Sequence, residues 1–172
     1  MGESSGDDSR RMIESSRAAK QWGQAWLAIG LLTAFWAISN QSRDGLLLLT
    51  LVYGLVAAIV TGCVCGNFRT GVVQFFSTLA LIIGATVLFA QFNFPPVGAV
   101  AVWLGLAAAS ANFFAGRHLS LRALIGQILA PAAVSFSAVI DFEASVWVGV
   151  GTFLATLPCL IAGTLLARRN TL

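Results

Sequence analysis

Uncharged amides and hydroxyls are the main groups within the long apolar stretches of this chain that can contact a solute. Gln74, Gln127, Asn112 and Thr156 stand foremost among them. Each amide presents donors and an acceptor without charge. Gln74 lies five positions after Arg69, and Gln127 lies five after Arg122. Two roles suit such a pair: a polar constriction at the inner mouth of a solute path, or hydrogen bonds between helices, each worth about 1 kcal/mol in such bundles. Catalysis has less to work with. His118 is the single histidine and belongs to a loop, so no nucleophile has a histidine partner and no catalytic residue is expected. Cys63-Val64-Cys65 and Cys159 carry thiols that favour soft metals. No further Cys, His or Met completes a site, however, and a free Cys packs as a small apolar residue. Neither a metal nor another cofactor is expected.

These side chains need helices to hold them. Of the 172 residues, 58% are hydrophobic and 10% charged, with a mean hydropathy of +0.85. A soluble domain has about 25% charged residues. Apolar stretches run over 22–38, 46–65, 72–92, 97–114, 124–140 and 144–167, each near the length that crosses about 30 Å of hydrocarbon. With this division, no Lys, Arg, His, Asp or Glu lies at hydrocarbon depth. That argues against a pump with a buried carboxylate and against an intramembrane protease. Arg10, Arg11, Arg17, Lys20, Arg69, Arg117, Arg122, Arg168 and Arg169 fall on one side of the six spans, and only Arg43 on the other. Such a bias predicts that both termini are cytoplasmic. The net charge of +3 then reflects orientation in the bilayer, and no nucleic-acid partner is expected.

The expected organisation is an all-α membrane protein. It has a polar cytoplasmic segment over 1–20, a six-helix transmembrane domain over 21–169 and a short tail over 170–172. Residues 1–8 are expected to be disordered, and 9–20 to form an amphipathic helix on anionic lipid.

The chain also resembles itself. Besides the two Arg-x4-Gln segments, Gly54-Leu55-Val56-Ala57-Ala58 matches Gly105-Leu106-Ala107-Ala108-Ala109, and Arg17 with Gln21 offers a looser third copy. A two-helix hairpin repeated three times is expected. Its even spans carry small residues at four-residue steps: Gly54, Ala58, Gly62 and Gly66 in the second, Ala101, Gly105 and Ala109 in the fourth, and Gly151, Ala155, Cys159 and Gly163 in the sixth. Residues four apart share a helix face, and small ones let helix backbones approach in lipid. The odd spans carry Trp22, Trp26, Trp36, Phe75 and Phe76, which suit lipid contact. An inner even set and an outer odd set are predicted. Pro131 and Pro158 each remove a helical hydrogen bond and are expected to kink the fifth and sixth spans.

Three Ala/Gly-rich hairpins, with Arg69 and Arg122 opening odd spans, give the region from 50 to 170 a pattern that resembles the membrane half of the fusaric-acid-resistance or aromatic-acid-exporter superfamily. The resemblance implies efflux of small organic acids from a dimer or higher oligomer. Members typically add a cytoplasmic domain, which these 172 residues are not expected to hold, and no motif assigns a binding role to a particular residue. A transporter or channel subunit for a small solute in the cell inner membrane is therefore expected, partnered by the bilayer and by copies of itself or another membrane protein. A non-transporting subunit for assembly or anchoring is the alternative. A wet gap between the even helices favours transport, and a dry centre favours the subunit.

Overall fold

The computed structural model describes residues 4–39, 43–91, 96–115, 120–141 and 145–169, and all of its regular structure is helical. Six helices follow one another: α1 (Ser4–Ser39), α2 (Arg43–Val64), α3 (Phe68–Gln91), α4 (Pro96–Ala115), α5 (Leu121–Asp141) and α6 (Val146–Arg169). Helix α1 is already helical at Ser4, where the sequence predicts disorder through residue 8. A helix nucleated in the apolar span extends upstream at little further cost.

Four helices are long and apolar enough to cross a bilayer, within Ser16–Ser39, Phe68–Gln91, Gly98–Ala115 and Val146–Ala167. Among the described residues the other two have apolar segments over Leu48–Val64 and Leu121–Ser137. At 1.5 Å per residue each of these covers about 25 Å.

Close approaches give the relative directions of the helices. Gly23 lies against Ser120 and Arg122, and Gly30 against Gly126, so α1 and α5 run parallel. Gly105 faces Thr156 and Gly163 faces Ala109, so α4 and α6 also run parallel. Gly62 meets Gly71 and Gly54 meets Thr78, which makes α2 and α3 antiparallel. At the C-terminal ends of α2 and α4, the Cys65 thiol donates to the Phe114 carbonyl at 3.7 Å. Lys20, Arg69, Arg122 and Arg169 therefore gather at one end of the bundle, while Arg43 begins α2 at the other.

The most extensive packing joins α1 to α5 and α4 to α6, while consecutive helices such as α1 and α2 share less. Helix α4 also touches α2, α3 and α5, which makes it the centre. Its span is 78% buried, against 39% in α1, 28% in α6 and 11% in α3. The expected division into inner even and outer odd helices therefore needs correction. Helix α6 buries Gly163 but exposes Gly151 and Ala155, so its small-residue row packs along only part of its length. Helix α1 buries Trp22 and Trp26 completely. Indole rings pack there because glycines on the α1–α5 contact bring the two backbones together.

Gly66 is corrected as well. It is exposed, with φ at +63°, and an added Cβ would meet nothing within 4 Å. Its role is to end α2. The Gly66 amide donates to the Cys63 carbonyl and the Asn67 amide to the Gly62 carbonyl, which is the Schellman arrangement that favours glycine in the left-handed region. Asn67 then caps α3, its Oδ1 accepting from the Arg69 amide at 3.0 Å. Helices α5 and α6 continue through Pro131 and Pro158 without interruption.

Candidate functional site

Asn112 and Gln127 form the best-defined polar site. The Asn112 Nδ2 donates to Gln127 Oε1 at 2.9 Å, and the Gln127 Nε2 donates to Asn112 Oδ1 at 2.7 Å. Both side chains are fully buried. Two amides facing each other satisfy a donor and an acceptor apiece, the arrangement a low-dielectric interior favours. The neighbouring Gly126 packs on the Trp26 backbone of α1 while Gln127 reaches α4, so adjacent residues of α5 bind two different helices.

Gln74 has the same sequence context but a different environment. It is fully buried on the α3 stripe of Gly71, Gln74 and Thr78. This stripe packs on α2. A Cβ at Gly71 would stand 2.6 Å from the Ala58 carbonyl oxygen, and Thr78 Cγ2 lies beside Gly54. Neither Nε2 nor Oε1 of Gln74 has a partner, and the same holds for the hydroxyls of Thr78 and Ser110. An amide left unpaired away from water costs about 1–3 kcal/mol. Thr156 is separate again: its Oγ1 donates to the Phe153 carbonyl of its own helix, and its side chain rests on Gly105. Of the four polar residues singled out in the sequence, the structure joins Asn112 with Gln127 and leaves Gln74 and Thr156 apart from them.

The predicted packing residues are also divided. Gly54, Ala58 and Gly62 lie buried on the α2–α3 contact, and Gly105 and Gly163 on the α4–α6 contact. Gly66, Gly151 and Ala155 are exposed.

Some of the centre escaped the sequence reading. Trp22 and Trp26 meet edge to face at 5.6 Å between ring centres, and Trp26 meets Tyr53 of α2 at 5.7 Å. The two indole N–H groups and the Tyr53 hydroxyl have no partner. A signal was present: Trp22 follows Arg17 by five positions, as Gln74 follows Arg69 and Gln127 follows Arg122, and all three are fully buried. Gly30, Gly71 and Gly126 were missed because each crosses a partner in isolation and not within a row.

Cys63 is exposed, Cys65 and Cys159 are half-buried, and no metal-holding group of His, Cys, Asp or Glu occurs among the described residues. His118, Arg117 and Glu143 lie outside the described residues. Chemically, the buried centre offers neutral donors and acceptors that suit another neutral hydrogen-bonding group. No family model, curated protein or solved structure matches this chain.

Proposed function

We propose that this chain is a six-pass protein of the cell inner membrane that acts as a membrane subunit, assembling with or anchoring a partner, and not as a transporter complete in one copy. One observation carries this reading: the centre is closely packed around α4. Helix α4 fills it, the Asn112 and Gln127 amides are turned on each other, and Gly163 lies against the Ala109 backbone. A path through the single bundle would have to open these contacts. Six passes as three hairpins, with both termini cytoplasmic, agree with α1 running parallel to α5 and α4 to α6. Helices α2 (Arg43–Val64) and α5 (Leu121–Asp141) are themselves about as long as the hydrocarbon requires. The basic end is cytoplasmic by the charge bias. In a background without Cys63, Cys65 and Cys159, Arg43→Cys should react with an impermeant maleimide in intact cells and His118→Cys should not. Labelling of position 118 alone would reverse the orientation.

Gln74 supports a second reading, a transporter or channel subunit whose path opens along the α2–α3 contact. A fully buried, unpaired amide is what a solute or water in such a path would satisfy. Stopped-flow shrinkage of reconstituted liposomes under urea or glycerol gradients separates the two. Kinetics equal to those of protein-free vesicles are expected. Permeability above that level, lost in Gln74→Leu, would replace the first reading by the second.

A further inference from the structure

Lys20 of α1 and Arg122 of α5 line a single cleft of about 450 Å³ at the basic end of the bundle, with Gly23 and Ser120 between them. Gly23 makes this convergence feasible, since a Cβ there would stand 2.5 Å from Ser120 Oγ and 3.2 Å from Arg122 Cβ. Ser120 caps α5: its Oγ accepts from the Ala123 amide at 3.2 Å and its carbonyl from the Leu124 amide at 3.1 Å. The amides of Leu121 and Arg122 have no acceptor within the helix, and they stand at its positive end.

Among the described residues nothing acidic lines the cleft. Along α1, positions 16, 17, 23 and 24 hold no Asp or Glu to pair with Lys20, and along α5, positions 125 and 126 hold none for Arg122. The seven acidic residues are Glu3, Asp7, Asp8 and Glu14, upstream on the chain, Asp44 and Asp141, at the helix ends opposite the basic one, and Glu143, which lies outside the described residues. Two cations from different helices thus face one space together with the first amides of α5, those of Leu121 and Arg122.

We propose that this cleft binds a phosphate group, carried by an anionic phospholipid or free in the cytoplasm. Guanidinium binds phosphate through paired N–H donors, a helix N-terminus favours the same anion, and basic pockets at the cytoplasmic ends of membrane helices hold lipid headgroups. The cleft lies where α1 passes from its polar segment into its apolar span, which is the level of the headgroups.

Melting the purified full-length protein in micelles titrated with POPG, POPC or inorganic phosphate tests the proposal. A saturable rise in Tm with POPG and none with POPC is expected. The double change Lys20→Gln and Arg122→Gln should weaken half-saturation about 25-fold, at about fivefold per cation. Arg69→Gln, which removes a charge at the same end but outside the cleft, should leave half-saturation unchanged. Because both side chains are exposed, these changes spare the core, and Lys20→Gln alone carries the test if the double variant does not fold. A saturable rise with inorganic phosphate that the variants lose supports the same site and identifies free phosphate as its source. No saturable rise with either phosphate probe, or one that the variants retain in full, overturns the proposal.

Discussion

Gln127→Leu should destabilise the protein by about 1–3 kcal/mol, whereas Gln74→Leu should leave stability unchanged or raise it by about 1 kcal/mol. The two glutamines share a sequence context, so only their partners distinguish them. Leucine at 127 removes both bonds to Asn112 and strands a fully buried amide. Leucine at 74 removes an amide with no partner and places an apolar side chain of similar size on the α2–α3 contact. Changing Asn112 and Gln127 together should recover much of the loss, because it removes both polar groups. The coupling in that double-mutant cycle measures the pair directly. Reversible unfolding in SDS–detergent mixtures supplies the free energies. Equal losses at 74 and 127 would show that Gln74 also bonds within the bundle, and its place in a second reading as a transport subunit would fall.

An alanine scan of the glycines should separate into two classes. Gly126→Ala, Gly30→Ala, Gly71→Ala and Gly163→Ala should each destabilise by about 1–3 kcal/mol. Gly62→Ala and Gly151→Ala should be neutral, or gain part of the helix-propensity advantage of alanine, about 1 kcal/mol. What the new methyl meets decides the outcome. At Gly126 it would overlap the Trp26 carbonyl, and at Gly30 the Gly126 carbonyl. At Gly163 it would stand 2.6 Å from the Ala109 carbonyl oxygen, and at Gly71 2.6 Å from that of Ala58. Backbone atoms cannot swing aside, so the helices must separate and lose contacts along the whole crossing. At Gly62 the nearest atom is 3.6 Å away, which is ordinary contact, and at Gly151 there is open space. Gly62 and Gly71 face each other across one crossing, so their opposite responses test this geometry rather than composition. Melting in detergent reads the result, and destabilisation at Gly62 equal to that at Gly71 would contradict it.

The exposed apolar surface fits a chain surrounded by lipid or by other membrane helices. Phe35, Phe76, Phe136 and Trp147 all face outward. Of the four long spans, that of α3, with Phe76, contributes least to the interior.

Local physics made much of this protein legible in its sequence. Runs of apolar residues with almost no charge dictate helices, because in lipid every backbone amide and carbonyl must be paired within its own helix. The positions of Arg69 and Arg122 mark helix starts at one end of the bundle, and Gly66 followed by Asn67 marks a helix stop and the next start. The small residues of α2 announced a close contact because they form a row on one face. Which helix meets which could not be read this way. Any apolar face satisfies another in a medium as apolar as its own side chains, so a chain of alternating hairpins leaves the pairing of α1 with α5 and of α4 with α6 open. The partners of the polar groups follow from that pairing. Gln74 and Gln127 carry the same local signature, yet α4 presents Asn112 to one, while the other packs along α2 without a partner. Trp22 and Trp26 read as lipid-facing on a single helix, and became core when α5 crossed α1 at Gly30 and Gly126. Periodicity and charge set where helices begin, end and carry small faces; tertiary packing alone decided which polar groups are paired, because a hydrogen bond needs a second helix at the right height and rotation.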